Sequence, residues 1–172
     1  MRVTLTYLIS AWGFAAPALL WVAPVLFLAA PVLFLAAPAW AESGEMMFNE
    51  YCVGCHQVGG TGVPGEYPRL AGRVNKIASD PRGRAFLAQL MVTGMSGTIS
   101  VDGRKILGIM PGFDNLKDDE LASVLNYVVR LEGGKGAAFT PQSLRQARAN
   151  AKATQEQMAE TRNSLAGAHV IP

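Results

Sequence analysis

The chain is poor in the side chains that most often build reactive sites. Of 172 residues only two are cysteine and two are histidine. A framework of several disulfides is therefore excluded. A zinc site built from two separate ligand pairs is excluded as well, because His169 is the only Cys or His outside one short cluster. Charge is missing from a whole region: no charged side chain occurs from Val3 to Ala41, and Arg2 is the only one before Glu42. The remaining 131 residues carry 14 Lys and Arg against 13 Asp and Glu, a net +1, with no basic run. That near-balance offers no electrostatic handle for a nucleic acid. Its length suits one ordinary soluble domain.

The uncharged stretch reads as a targeting segment. Arg2 supplies a positive start, a long apolar run follows, and Ala39-Trp40-Ala41 precedes the polar Glu42-Ser43-Gly44. Small residues at the first and third positions of Ala-x-Ala are what signal peptidase accepts. The expectation is a signal peptide over residues 1–41, cleaved after Ala41, and an exported, periplasmic mature chain. The run is unusually long because Pro24–Ala30 (PVLFLAA) recurs unchanged as Pro31–Ala37. An uncleaved membrane anchor is the rival reading, since the run is long enough to span a bilayer. Prolines at 17, 24, 31 and 38 speak against a continuous helix there.

Both cysteines fall in Cys52-Val53-Gly54-Cys55-His56. A bare C-x-x-C would suit a redox dithiol or half a zinc site. The histidine that follows directly changes the reading to attachment of one haem. Thioether bonds from two sulfurs to the vinyl groups need about one helical turn between them, and the adjacent His56 then lies under the iron as proximal ligand.

A second axial ligand separates an electron carrier from an open haem that binds gas or peroxide. Of the seven methionines, Met1 leaves with the signal, and Met46 and Met47 lie too near the Cys motif to reach the far iron face. Met91 reads as helix core and Met158 belongs to the tail. Met110, in Gly108-Ile109-Met110-Pro111-Gly112-Phe113, stands in what reads as an irregular loop whose Gly and Pro fix the backbone. Met95, after Gly94 at a helix end, is its one serious competitor.

Elements can be placed coarsely. Gly44 to Cys55 reads as a short helix and Gln57–Ala78 as loop. A helix over Pro81–Thr93 has Asp80 as N-cap, Pro81 at its first position and Gly94 as its stop. Thr98–Val101 and Arg104–Leu107 flank Asp102-Gly103, a type I′ hairpin dipeptide. A last helix over Asp118–Leu131 buries Leu121, Val124, Leu125 and Val128, with acidic Asp118, Asp119 and Glu120 at its N-terminus.

Over residues 44–132 the chain resembles the class I c-type cytochromes. Four segments carry the likeness: Gly44…Phe48…Cys52-x-x-Cys55-His56; Tyr67-Pro68-Arg69-Leu70-Ala71-Gly72; Met110-Pro111-Gly112-Phe113; and Asp118-Asp119-Glu120-Leu121 leading to Leu125-Asn126-Tyr127-Val128. The resemblance implies an all-α fold of about four helices wrapped around one haem c, with one short hairpin and a helical C-terminal extension. It implies that Pro68 offers its carbonyl to the second nitrogen of His56, that Leu70 lines the haem, and that Gly44 and Phe48 pack on the last helix near Tyr127. Lys117 departs from the Ser or Thr N-cap common in the family, which leaves the start of that helix open. The segment Val92–Gly103 with Gly108-x-Met110-Pro111 resembles cytochromes that serve, or sit as subunits of, periplasmic dehydrogenases.

The expected organisation is a signal peptide (1–41), a haem domain (42–134) and an extension (135–172). The extension holds a weak 14-residue repeat, Thr140…Leu144…Arg148 and Thr154…Met158…Arg162, each opened by a capping Thr. Two short helices, or one bent helix, are expected, either strapped to the haem domain or held out as a docking arm. Because the ligands and thioethers all lie before residue 111, the extension is not expected to take part in haem ligation. The leading function is single-electron transfer between redox partners, such as a dehydrogenase donor and an oxidase or another cytochrome, with His56 and Met110 on the iron. A haem peroxidase or a haem-based sensor are the alternatives. Met110 would block the first, and the second would normally need an output domain.

Overall fold

A computed structural model describes residues 39–172 apart from residue 137. The expected signal segment therefore lies almost wholly outside the described residues. Helix α1 (Ala39–Tyr51) leads into one helical turn, α2 (Val53–His56). Then come α3 (Val74–Ser79), α4 (Pro81–Thr93), the strands β1 (Met95–Val101) and β2 (Arg104–Met110), α5 (Asp118–Arg130), α6 (Pro141–Ala149) and α7 (Gln155–Gly167). The architecture is mainly helical with one antiparallel hairpin. Among the described residues no helix is long and apolar enough to cross a membrane.

The core is built where α1 crosses α5. The amphipathic pattern of α5 buries Leu121, Val124, Leu125 and Val128 as expected, together with Ala122, Ser123 and Val129. Phe48 is fully buried, its ring 5.4 Å from that of Tyr127. The crossing is close because residue 44 is glycine: a Cβ there would stand 2.4 Å from the Ser123 carbonyl oxygen. The packing implied for Gly44, Phe48 and Tyr127 is thus present. Helix α5 starts at Asp118 although Lys117 has no capping side chain. The Lys117 N–H donates to Glu120 Oε2 at 2.8 Å instead, and three acidic residues face the helix dipole.

Three expectations about the elements are corrected. The stretch from Gln57 to Ala78 is not all loop: α3 forms at its end, with Val74, Ile77 and Ala78 turned to the core at helical spacing. Six residues give too short a period to register beside so many glycines. The first helix begins earlier, at Ala39, and breaks at Cys52. The hairpin is seven residues per strand, so Met110 closes β2 rather than standing in an irregular loop. The turn itself is as expected, with positive φ at both Asp102 (49°) and Gly103 (74°).

The extension folds back as two helices, each N-capped by its Thr: Thr140 accepts from the Ser143 N–H and Thr154 from the Gln157 N–H. Helix α6 packs on α4 and α5, and α7 lies along β1. Leu144 and Met158 are among the most deeply buried side chains. Arg148 donates to Asp118 and to the carbonyls of Asp114 and Leu116. These contacts make the extension a strap on the domain.

Replacing Phe48 by Ala should cost about 3–5 kcal/mol through lost burial and a cavity at the α1–α5 crossing. Replacing exposed Met46 should change stability by less than about 0.5 kcal/mol. Denaturant unfolding followed by far-ultraviolet circular dichroism checks both.

Candidate functional site

The site begins at the turn Cys52–His56. Its first amide is tied back to α1, with Cys52 N–H donating to the Phe48 carbonyl at 2.9 Å, and its last is closed by His56 N–H on the Cys52 carbonyl at 2.8 Å. This places Cys52, half-buried, and Cys55, exposed, one turn apart beside a buried His56. Burial, and then the neighbouring Cys55, push the Cys52 thiol up to about 11.

His56 is held from the opposite segment. Its Nδ1 lies 2.9 Å from the Pro68 carbonyl oxygen, as the resemblance implied. Proline is well placed to offer a carbonyl from a fixed bend. That bend is secured by Gly62 N–H on the His56 carbonyl (2.8 Å) and by Leu70 and Ala71 N–H on the Gly60 carbonyl (2.8 and 3.1 Å). Because the carbonyl can only accept, Nδ1 carries the proton and Nε2 keeps its lone pair. Burial lowers the His56 pKa from its ordinary value, against a smaller opposing effect of the Pro68 hydrogen bond, so the ring is neutral at pH 7.

Two adjoining cavities open beside this ring and share His56, Pro68, Met95, Ile99 and Met110 in their walls. The first encloses about 760 Å³, partly open to solvent, and also touches Cys52, Cys55, Tyr67 and Phe113. The second encloses about 520 Å³ and reaches inward past Leu70 and Phe86 to Arg73, Arg162 and Ile171. Every residue singled out from the sequence, Cys52, Cys55, His56, Pro68, Leu70 and Met110, lies on one or both.

Met110 enters from the hairpin side. The residues after it dock on the end of α4: Phe113 N–H donates to the Met91 carbonyl at 2.8 Å. A Cβ on Gly94 would collide with the Met110 carbonyl oxygen and the Gly112 nitrogen, each at 2.5 Å. That close crossing pins the backbone of Met110. Met95, its competitor, is its direct partner in the strand register and is buried on the same walls. Met91 belongs to the core.

Sequence reasoning missed the polar end of the second cavity. Arg73 and Arg162 are buried there, at 6% and 5% exposure. Arg73 donates to Asp102 Oδ1 at 2.8 Å and to the Pro172 carbonyl; Arg69 also reaches Asp102. Asp102 is held below the ordinary carboxylate range, first by its Arg69 hydrogen bond. Arg162 donates through Nη2 to the Ser100 carbonyl at 2.8 Å. The docking-arm expectation for the extension set Arg162, with Arg145, Arg148 and Lys152, among charges facing a partner; the structure buries Arg162 instead.

Taken together, the donor set fits a covalently held haem: two thiols a turn apart, a neutral imidazole with a free Nε2, thioethers across an apolar slot, and arginines at one end of it. The comparisons agree. The family model described as "Cytochrome c" matches residues 41–132. Cytochrome c-552 of Thermus thermophilus is 40% identical over 114 residues, which cover 63% of this chain and 87% of that protein. A second cytochrome c-552, from a particular strain of the same species, is also 40% identical over 114 residues, which cover 63% of this chain and 77% of that protein. The fold, the motif and both comparisons converge: this chain belongs to the cytochrome c family, is a class I monohaem c-type cytochrome with covalently attached haem c, and is an electron carrier.

Proposed function

We propose that this chain is an exported, periplasmic carrier of single electrons in which Cys52 and Cys55 form the thioethers, His56 is the proximal ligand and Met110 the distal one. The observation that carries the reading is the convergence of a tautomer-fixed His56 and a backbone-pinned Met110 on the same apolar walls. The haem supplies the one-electron couple. The protein's part is to keep Nε2 unprotonated for the metal, to offer a soft thioether opposite it, and to keep bulk water off most of the slot. Imidazole with thioether ligation raises the potential and fills both axial positions, which favours electron transfer over chemistry on a bound substrate. Pro68 fixes the orientation of His56, and Leu70 walls the slot.

The electrons pass between redox proteins. A periplasmic dehydrogenase is the proposed donor, on the likeness of the Val92–Gly103 segment to cytochromes that serve such enzymes. The protein then acts either as a free shuttle or as the cytochrome subunit. Export rests on the uncharged run ended by Ala39-Trp40-Ala41.

Haem should stay with the polypeptide on a denaturing gel stained for haem, and acid acetone should not extract it. Replacing Met110 by Ala should abolish the weak sulfur-to-iron charge-transfer band in the red and let the reduced protein bind carbon monoxide. Met95→Leu should leave both properties unchanged, and the reverse outcome would assign the ligand to Met95. Mass spectrometry of the native protein should give a chain beginning at Glu42; a membrane-bound form retaining residues 1–41 would make it an anchored cytochrome instead.

A further inference from the structure

Among the described residues three buried side-chain polar atoms have no hydrogen-bond partner: Asn75 Oδ1, Thr93 Oγ1 and Arg162 Nη1. Only the last belongs to a charged group. A buried guanidinium with no counter-ion is among the most costly arrangements a fold can carry, and such groups normally occur paired. The side-chain carboxylate of the cluster, Asp102, is taken by Arg69 and Arg73, and the Pro172 main-chain oxygen is taken by Arg73. Arg73 is itself close enough to oppose the charge on Arg162. Burial and that repulsion push Arg162 down to about 10, so it stays a cation at neutral pH and needs an anion.

Arg162 also lines the second cavity, whose walls include His56 and Met110. The cofactor that this family holds there carries two acidic side-arms. We propose that Arg162, delivered by α7 of the C-terminal extension, is the ionic partner of one haem propionate, so that the extension completes the cofactor site. The extension then does more than strap the domain, while the iron ligands still all lie before residue 111. Arg73 flanks the same end, oriented by Asp102 on the hairpin turn and by the Pro172 carbonyl. The site thus draws on the segment before α3, the hairpin and the extension.

The consequence is a reduction potential insulated from pH. A propionate beside Arg162 keeps its carboxylate ionised well below neutrality, because the adjacent cation favours the charged form. The other ionisable groups facing this end are Arg69, Arg73, Asp102, His56 and the main-chain carboxyl of Pro172, which accepts from Arg73. Asp102, held below the ordinary carboxylate range, stays charged from pH 5 to 8. His56 is engaged with Pro68 on one side and is the proposed iron ligand on the other.

The inference rests on haem occupying this slot, so the visible spectrum of each variant is recorded first. A retained thioether-ligated spectrum keeps the ligation reading standing whatever the potentials show. Midpoint potentials of the wild type, Arg162→Lys and Arg162→Met are then measured from pH 5 to 8. The wild type and the Lys variant should be nearly flat. The Met variant should have a lower potential at high pH, where an unpaired carboxylate favours the ferric state, and the potential should climb as pH falls and that carboxylate protonates. A flat, unshifted profile for the Met variant would overturn the proposal, as would identical profiles for the Lys and Met variants. Should the Met variant fail to mature, resonance Raman decides: the propionate bending mode should differ between the wild type and Arg162→Lys, and coincident modes would overturn it.

Discussion

One hydrogen bond, His56 Nδ1 to the Pro68 carbonyl at 2.9 Å, fixes the geometry on which the rest of the site depends. It sets the tautomer, and so determines which nitrogen faces the slot. It also ties the Cys-bearing turn to the glycine-rich segment that would otherwise have little reason to adopt one path. The positive φ of 60° at Gln57 and the backbone bonds around Gly60 and Gly62 bend that segment until Pro68 sits opposite the ring. Moving Pro68 would release both the ring and the wall on which Leu70 stands.

The opposite wall depends on a different kind of constraint. Helix α4 is capped at Asp80, whose side chain accepts from the Arg82 N–H at 2.7 Å, and it stops at Gly94. The absence of a Cβ at Gly94 lets the chain after Met110 pass within contact of the helix end. The hairpin then spans the slot, with Met95 and Met110 paired at its open end and Asp102 at its tip. The tip carries the charge that Arg69 and Arg73 neutralise, and α7 closes the hairpin from outside. Ligand wall, charge cluster and extension are thus one mechanical unit.

How legible this was in the sequence follows the range of the interactions. The Cys52–His56 motif, the α4 capping pattern, the Asp102-Gly103 turn and the α5 stripe depend on neighbours within a few residues, and all are found where expected. The N-capping Thr140 and Thr154 likewise start their helices. What failed was either too short or too distant. Helix α3 has only one turn and a half of pattern, and the strands extend to Met95 and Met110 because pairing across the hairpin outweighs the weak strand preference of Gly97 and Gly108. Arg162 was silent because its meaning lies in contacts 62 residues away, at Ser100. No local pattern distinguishes an arginine that faces solvent from one turned into a cavity.

The central claim is that one thioether, from Met110, completes the iron site opposite His56. Proton NMR of the reduced protein, with methionine methyl groups carbon-13 labelled, tests it most directly, because a methyl seated over the macrocycle is shifted far upfield by the ring current. The account predicts one such methyl, absent in Met110→Leu and still present in Met95→Leu. No shifted methyl in the wild type, or one that persists without Met110, would contradict it.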